Sequence, residues 1–430
     1  MVLESLMTGF KALCATLPDR RQGKNTMYGI ADIGLGAFST FFMQCPSFLA
    51  RQKALERGRG TSNCQCLFGM SKIPTDNHIR SVLDPVPPQT LFPAFGEGLT
   101  ALIAGGGLTQ FQRLNGHVLI AFDGTEYFRS QEIWCPNCSS RARANGRTEH
   151  FHSMVSAALV APGHNRVLPL EPEFIAPQDG AEKQDCEARA AQRWLAAYGP
   201  KYAHLRPIYL GDDLSSRQPT CEAVLAVGGH FLFTAKPSSH KTLYSWLEGA
   251  DVPSTEKKFK QGKYFVTHRY RWMAGVPIRD GEDALMVNWL EIEIVDRSGK
   301  VTYRNSFITD LPVCKNNVDD LAAAGRARWK IENENFNTMK TQGYNLEHNF
   351  GHGKQHLAAL LATMNLIAFA MHTVADLVDE AWALARQAIG ARKRFFEELR
   401  TITTYLVFPT WALLAETLRT GKPPPVVLDG

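Results

Sequence analysis

Five acidic residues stand where a chain can use them for chemistry. Asp123 closes the apolar run of HVLIAFDGTEYF and is followed by Gly124. Asp212 and Asp213 close PIYLGDD in the same way. Glu332 and Glu334 lie in the helical stretch RWKIENENF, two residues apart and therefore on different faces. A carboxylate at the C-terminal end of a buried strand is held rigidly at the sheet edge, where α/β proteins tend to place ligands. Two or three such groups suit a hard cation such as Mg²⁺, which prefers oxygen ligands. A pair of these ions about 3.5–4 Å apart can activate a water or a 3′-hydroxyl and stabilise the leaving oxygen of a phosphodiester. Taken singly, each acid also reads as a solvated surface residue or a cap.

Softer donors form a second set. Cys135-x2-Cys138 is followed by His150-x-His152, and thiolates with imidazoles suit tetrahedral Zn²⁺. A structural zinc at Cys135, Cys138, His150 and His152 is one reading, although the histidine spacing is shorter than that of a zinc finger. The plain alternative is reduced cysteines and two histidines on one face of a strand. Cys64-x-Cys66 has no evident histidine partner. His348, His352 and His356 recur every four residues, but Gly351 and Gly353 break any helix there, so NFGHGKQH reads as a loop leading into the next helix.

Basic residues interleave with aromatics in EKKFKQGKYFVTHRYRW. On a hairpin, Lys257, Lys258, Lys260, Lys263, Arg269 and Arg271 could neutralise phosphates while Tyr264, Tyr270 or Trp272 stacks on an unpaired base. An edge strand guarded by lysines against aggregation has the same composition. Lys236 ends a strand close in sequence to the second acid and is a candidate phosphate contact. Arg392-Lys393-Arg394 reads as a solvated helix face.

The elements that must position these residues change character along the chain. Residues 1–115 are helical with loops and read as a separate domain. Residues 116–240 alternate strands with helix, the mark of an α/β core. Residues 241–315 carry alternating β runs separated by Asp280-Gly281 and Ser298-Gly299, an antiparallel insertion. Residues 316–380 return to helix and carry Glu332, and 381–430 form a helical tail. The 430 residues are 44% apolar and 10% aromatic, which excludes a mainly disordered protein. Lys and Arg number 47 against 42 Asp and Glu, a balance of +5 that permits nucleic-acid binding without requiring it. Nine cysteines and an N-terminus without a secretory leader pattern point to reduced thiols in the cytoplasm. The apolar stretch Ile33–Ala50 contains Gly34, Gly36 and Pro46, so a buried helix is expected rather than a membrane span. Neither a dinucleotide fingerprint nor a phosphate-binding glycine loop is present, which disfavours a small-molecule enzyme.

In order, AFDGTEYF, YLGDDLSSRQP and ARWKIENENFNTMKTQGYNLEH resemble the DDE transposases of bacterial insertion sequences, in particular the large branch whose catalytic core carries a β-strand insert. The resemblance runs from about Gly116 to His372. It implies a ribonuclease H-like α/β core with a β-strand insertion, flanked by helical N- and C-terminal regions. It makes Asp123, Asp212 and Glu332 the catalytic, metal-binding acids, with Asp213 and Glu334 as their rivals. Glu332 and Arg328 fit the branch's Tyr-x2-Arg-x3-Glu-x6-Lys motif, whereas Gly325 stands at the Tyr position and Met339 at the Lys position, with Lys340 next to it. The implied activity is Mg²⁺-dependent cleavage at the element's ends and strand transfer into target DNA, with Mn²⁺ able to substitute. The implied partners are double-stranded DNA, both terminal inverted repeats and target, and a second copy in a homodimer. Arg328, Lys340 and Lys236 would contact DNA, residues 1–115 would recognise the ends, and the protein would work in the bacterial cytoplasm on the nucleoid. A metal-dependent nuclease or junction resolvase, or a domesticated DNA-binding protein without catalysis, are the competing expectations.

Overall fold

The computed structural model describes residues 1–22, 26–177 and 186–423. Its spine is one mixed sheet of twelve strands: β1 (Gln112–Arg113), β2 (His117–Ser130), β3 (Ser139–Ala142), β4 (Thr148–Val160), β5 (Leu168–Pro169), β6 (Glu173–Ile175), β7 (Pro207–Gly211), β8 (His230–Thr234), β9 (Ser254–Gln261), β10 (Tyr264–Pro277), β11 (Met286–Val295) and β12 (Val301–Thr309). The order across the sheet is β3-β4-β2-β7-β8-β12-β11-β10-β9, with β1 on β2 and with β5 and β6 on β4. The centre, β2-β7-β8, is parallel, with Val118 opposite Pro207 and Ile208 opposite His230. These strands are buried along nearly their whole paired length, as continuous apolar runs such as HVLIAF and PIYLG require.

Both wings are antiparallel. Residues 241–315 do form antiparallel β runs, but they extend the sheet itself, because β12 returns to pair with β8 (Phe307 opposite Thr234). On the other side β4 pairs with β2 from His150 to Val160, Asp123 facing Ser156. One local expectation needs correction. The strand carrying Asp123 does not stop at Gly124; it continues to Ser130, since the thirteen-residue β4 keeps its partner in register and a bulge between Glu126 and Phe128 absorbs the mismatch. The segment NRVLPLEPEFI forms the two short strands β5 and β6.

Residues 1–115 are helical, yet they do not stand apart. Leu3 N–H donates to Asp379 Oδ2 (3.0 Å), Asn63 Nδ2 to the Thr403 carbonyl (2.7 Å), and Trp411 Nε1 to the Leu67 carbonyl (3.0 Å). The N-terminal helices thus share a core with the C-terminal ones around the helix Leu357–Val378. That helix is long and apolar enough to cross a membrane, but 89% of its most apolar window is buried inside the fold. The Ile30–Phe42 helix is likewise almost wholly buried. Arg392 also points inward, against expectation: it donates to Tyr344 Oη (2.9 Å) and joins Arg166 and Arg386 around the buried Asp376. None of the nine cysteines is in a disulfide.

His372 lies at the centre of this helical core, stacked on Trp382 (ring centroids 5.7 Å apart) and hydrogen-bonded to Tyr344 Oη (2.7 Å). Burial, reinforced by the charges of Arg392 and Arg386, holds its imidazole well below the ordinary histidine value. Below about pH 6.5 the unfolded chain takes up a proton here and the fold does not, so the unfolded state is favoured as pH falls. The stability advantage of wild type over His372→Phe should therefore shrink by about 1 kcal/mol between pH 7.5 and 5.5 in urea titrations. A difference that stays constant would exclude His372 as the titrating group.

Candidate active site

The parallel centre of the sheet places the first two acids on one edge. Pairing of β2 with β7 ends at Ala121 and Leu210, so Asp123 stands two residues past it, and Asp212 is the first residue after β7. The Asp212 carboxylate accepts at Oδ1 from Leu214 N–H (3.0 Å), Ser215 N–H (3.3 Å) and Ser215 Oγ (3.4 Å). The neighbouring Asp213 is engaged elsewhere. It accepts from Lys236 N–H (2.7 Å) and from Ser239 Oγ, and lies 4.0 Å from His240 Nε2, so it closes the turn after β8. Sequence alone left these two aspartates equivalent; the structure gives them separate tasks.

Glu332 comes from the far side of the insertion. The expected single helix over VDDLAAAGRARWKIENENFNTMK is instead broken: an α-helix Val318–Arg326, a π-helical turn Ile331–Phe336 and a short helix Asn337–Thr341. Such π turns are rare and frequent at functional sites. Asn335 explains how this one is held, because its wholly buried Nδ2 donates to Ser156 Oγ (3.2 Å), the residue opposite Asp123 in the β2–β4 ladder. The turn is thereby fastened beside the first acid. Glu334, two residues on, is half-buried.

Arg328 ties the two ends together. Its Nη1 lies 3.5 Å from Asp123 Oδ2 and its Nη2 2.8 Å from Glu332 Oε1. A fourth carboxylate, Glu187 at the start of the helix Glu187–Tyr202, lies against the Gly124 backbone; a Cβ there would fall 2.1 Å from Glu187 Oε1. The Asp123 carboxyl is pushed up to about 7, first by burial and then by the charges of Glu332, Asp212 and Glu187, with Arg328 alone opposing. Glu187 is pushed up as well, by partial burial and by Asp212 and Glu126. Four carboxylates around one arginine make an edge with excess negative charge. Glu187 left no signal in the sequence, where an acid in a first helical turn reads as complementing the helix dipole.

No family model matches the chain, and no curated protein matches it.

The remaining expected contacts scatter. Arg328 faces the acids rather than solvent, and Lys340 pairs with Glu347 (2.9 Å). Lys236 is exposed just after β8 and lines a cavity with Tyr244, Arg271, Trp289 and Arg304. On the β9–β10 hairpin, Lys257 pairs with Asp319 (2.5 Å), Arg269 with Glu256 (3.7 Å) and Arg271 with Glu291. Lys258, Lys260 and Lys263 are exposed and have no ion pair among the described residues, beside the exposed rings of Phe259, Tyr264 and Phe265. Tyr270 is buried and Trp272 half-buried, so neither is free to stack on a base.

The soft donors meet, but not as the spacing suggested. Cys135, Cys138 and His152 come together with His352, all four buried, in the only group of three or more His, Cys, Asp or Glu side chains among the described residues whose ligand atoms all lie within 4.8 Å of one another. The cluster could hold a metal ion; the carboxylates of the other site are spread more widely, with Arg328 between two of them. His150 is not a member. It is one full strand step from His152, about 6.6 Å at 3.3 Å per residue, and its ring stacks on Trp134. His352 belongs to the loop leading into the Leu357–Val378 helix, 200 residues from His152.

Proposed function

We propose that this protein is a DDE-type DNA transposase that cuts the ends of an insertion sequence and joins them to target DNA. The observation that carries this reading is the meeting of Asp123, Asp212 and Glu332, far apart in the chain, on one edge of a parallel sheet centre. The strand order supports a ribonuclease H-like core formed by β2, β4, β7 and β8, with β9–β12 as its insertion. The donor set fits Mg²⁺ or Mn²⁺: every candidate ligand is a carboxylate oxygen, and negative charge is in excess of the one arginine. Bound there, such ions would activate a water or a 3′-hydroxyl and stabilise the leaving oxygen.

The chain's own residues do the positioning. Asp123 is fixed by the β2–β4 ladder, Asp212 by its turn, and Glu332 by the Asn335–Ser156 hydrogen bond. Arg328, displaced from the carboxylates by a cation, would be released toward a phosphate. The exposed face of the β9–β10 hairpin supplies charge for the DNA backbone, and a homodimer would bring two ends together in the cytoplasm. Replacing Lys258, Lys260 and Lys263 by Ala should flatten the dependence of log affinity on log salt by about 2.7, as three phosphate contacts would. An unchanged slope in fluorescence anisotropy would place the DNA elsewhere.

The deciding experiment uses a supercoiled plasmid carrying this element's own flanking ends, purified protein, Mg²⁺ and a second plasmid as target. Joined product supports the transposase. Cleavage without joining would make the protein a nuclease or resolvase, and binding without cleavage a DNA-binding protein only.

A further inference from the structure

We infer that Cys135, Cys138, His152 and His352 bind one Zn²⁺ as a structural clamp between the sheet and the loop that enters the Leu357–Val378 helix. This site is separate from the carboxylates, and its existence does not depend on what they catalyse.

The distances between donor atoms are those of a tetrahedron's edges. With Zn–S near 2.3 Å and Zn–N near 2.0–2.1 Å, a regular tetrahedron has edges of about 3.8 Å between sulfurs, about 3.6 Å between sulfur and nitrogen, and about 3.3 Å between nitrogens. Here Cys135 Sγ and Cys138 Sγ are 3.9 Å apart. His152 Nε2 lies 3.5 Å from Cys135 Sγ and 3.4 Å from Cys138 Sγ, and His352 Nε2 lies 3.4 Å from Cys138 Sγ. The two Nε2 atoms are 3.1 Å apart. A sulfur pair at 3.9 Å is far outside disulfide bonding, and two imidazole nitrogens aimed at one another and at two thiols share a centre.

The surroundings prepare each donor. His352 Nδ1 donates to the Gly353 carbonyl (2.9 Å), which leaves the Nε2 lone pair facing the cluster, the arrangement that orients metal-bound histidines. Cys135 N–H donates to Cys138 Sγ (3.4 Å) and Cys138 N–H to the Cys135 carbonyl (3.0 Å), so the Cys-x2-Cys turn points both sulfurs inward. Tyr127 stacks on His152, and Phe128 covers His352 at 4.4 Å. Two thiolates neutralise a divalent ion, four protein ligands leave no open position, and soft donors exclude Mg²⁺ and Ca²⁺. The site is thus structural, not catalytic.

What it clamps follows from the chain path. Residues 342–356 run from the Glu332 segment to the long core helix. On one side the Asp84 carboxylate accepts from Lys354 N–H (3.0 Å), Gln355 N–H (3.0 Å) and Leu357 N–H (3.3 Å). On the other side are His352 and Asn137 Nδ2, which donates to the Gln355 carbonyl (2.7 Å). The metal joins this loop to β4 and to the chain after β2.

Elemental analysis of full-length protein, purified without chelator and dialysed, should find about one zinc per chain. His352→Ala and Cys138→Ser should lose it, His150→Ala should keep it, and Co²⁺ exchanged into wild type should give the intense visible absorption of a tetrahedral dithiolate site. X-ray absorption at the zinc edge of wild type, which needs no variant to fold, should give an independent reading of two sulfur and two nitrogen neighbours. Zinc-free wild type that takes up no Co²⁺, a shell without sulfur, or equal loss of zinc in His150→Ala and His352→Ala would each overturn the inference. Asp123→Asn should keep its zinc whether or not the protein is a transposase.

Discussion

Asp123→Asn should remove cleavage and joining by about 10³-fold or more, equivalent to at least about 4 kcal/mol of transition-state stabilisation, while raising the unfolding temperature of the metal-free protein. The two effects have one origin. The carboxyl is mostly buried beside Glu332, Asp212 and Glu187, with Arg328 as the one compensating charge, and these surroundings push it up to about 7. Above that pH the fold holds an ionised group in a place that disfavours the charge, which the unfolded chain does not. Asparagine keeps the shape and the acceptor for Gly124 N–H (3.1 Å) and removes the charge. Unfavourable charge retained at a fixed place is what a cation site needs and what stability alone would remove. Asp212→Asn should be as inactive. Asp213→Asn should lose about 1–3 kcal/mol of stability, because Lys236 N–H and Ser239 Oγ lose a charged acceptor, yet keep activity within a few-fold per folded molecule. Calorimetry with the plasmid assay checks all three. An inactive Asp213→Asn beside an active Asp212→Asn would reassign the second acid.

How much of this was legible in the sequence depends on how far each feature reaches. The β runs could be read because they rest on local apolar patterning. The difference between Asp212 and Asp213 could not, because the partners of Asp213 lie in the Lys236–His240 turn. Gly124 keeps strand geometry, and its missing side chain admits Glu187, a contact no local pattern announces. The Cys–His cluster shows the same limit. Cys135 and Cys138 are neighbours in sequence, while His352 comes from a loop more than 200 residues away, and no periodicity links it to Cys138. The break in the Glu332 helix was equally hidden, since the hydrogen bond that fastens Asn335 ends on a different strand.

Arg328→Met should make the protein's stability depend on divalent cations more strongly than wild type does. Arg328 is 13% exposed and touches both Asp123 and Glu332. Its loss leaves those carboxylates facing each other across a poorly solvated gap. Breaking a buried pair by removing one partner typically destabilises by about 3–5 kcal/mol, and the 38% exposure of Glu332 reduces the expected loss to about 1–3 kcal/mol in EDTA. A bound cation stabilises the fold by RT ln(1 + [L]/Kd), and in wild type the guanidinium competes for the same oxygens, which raises the apparent Kd. Millimolar Mg²⁺ or Mn²⁺ should therefore raise the unfolding temperature of Arg328→Met by more than that of wild type and recover most of the loss seen in EDTA. The double variant Arg328→Met/Asp123→Asn should respond less, with one carboxylate gone. Zinc at the Cys–His cluster would not produce this pattern, because its ligands are unaltered in all three proteins and it takes no Mg²⁺. Equal cation shifts in wild type and Arg328→Met would mean that the acidic edge is not a cation site, and the catalytic reading would fall with it.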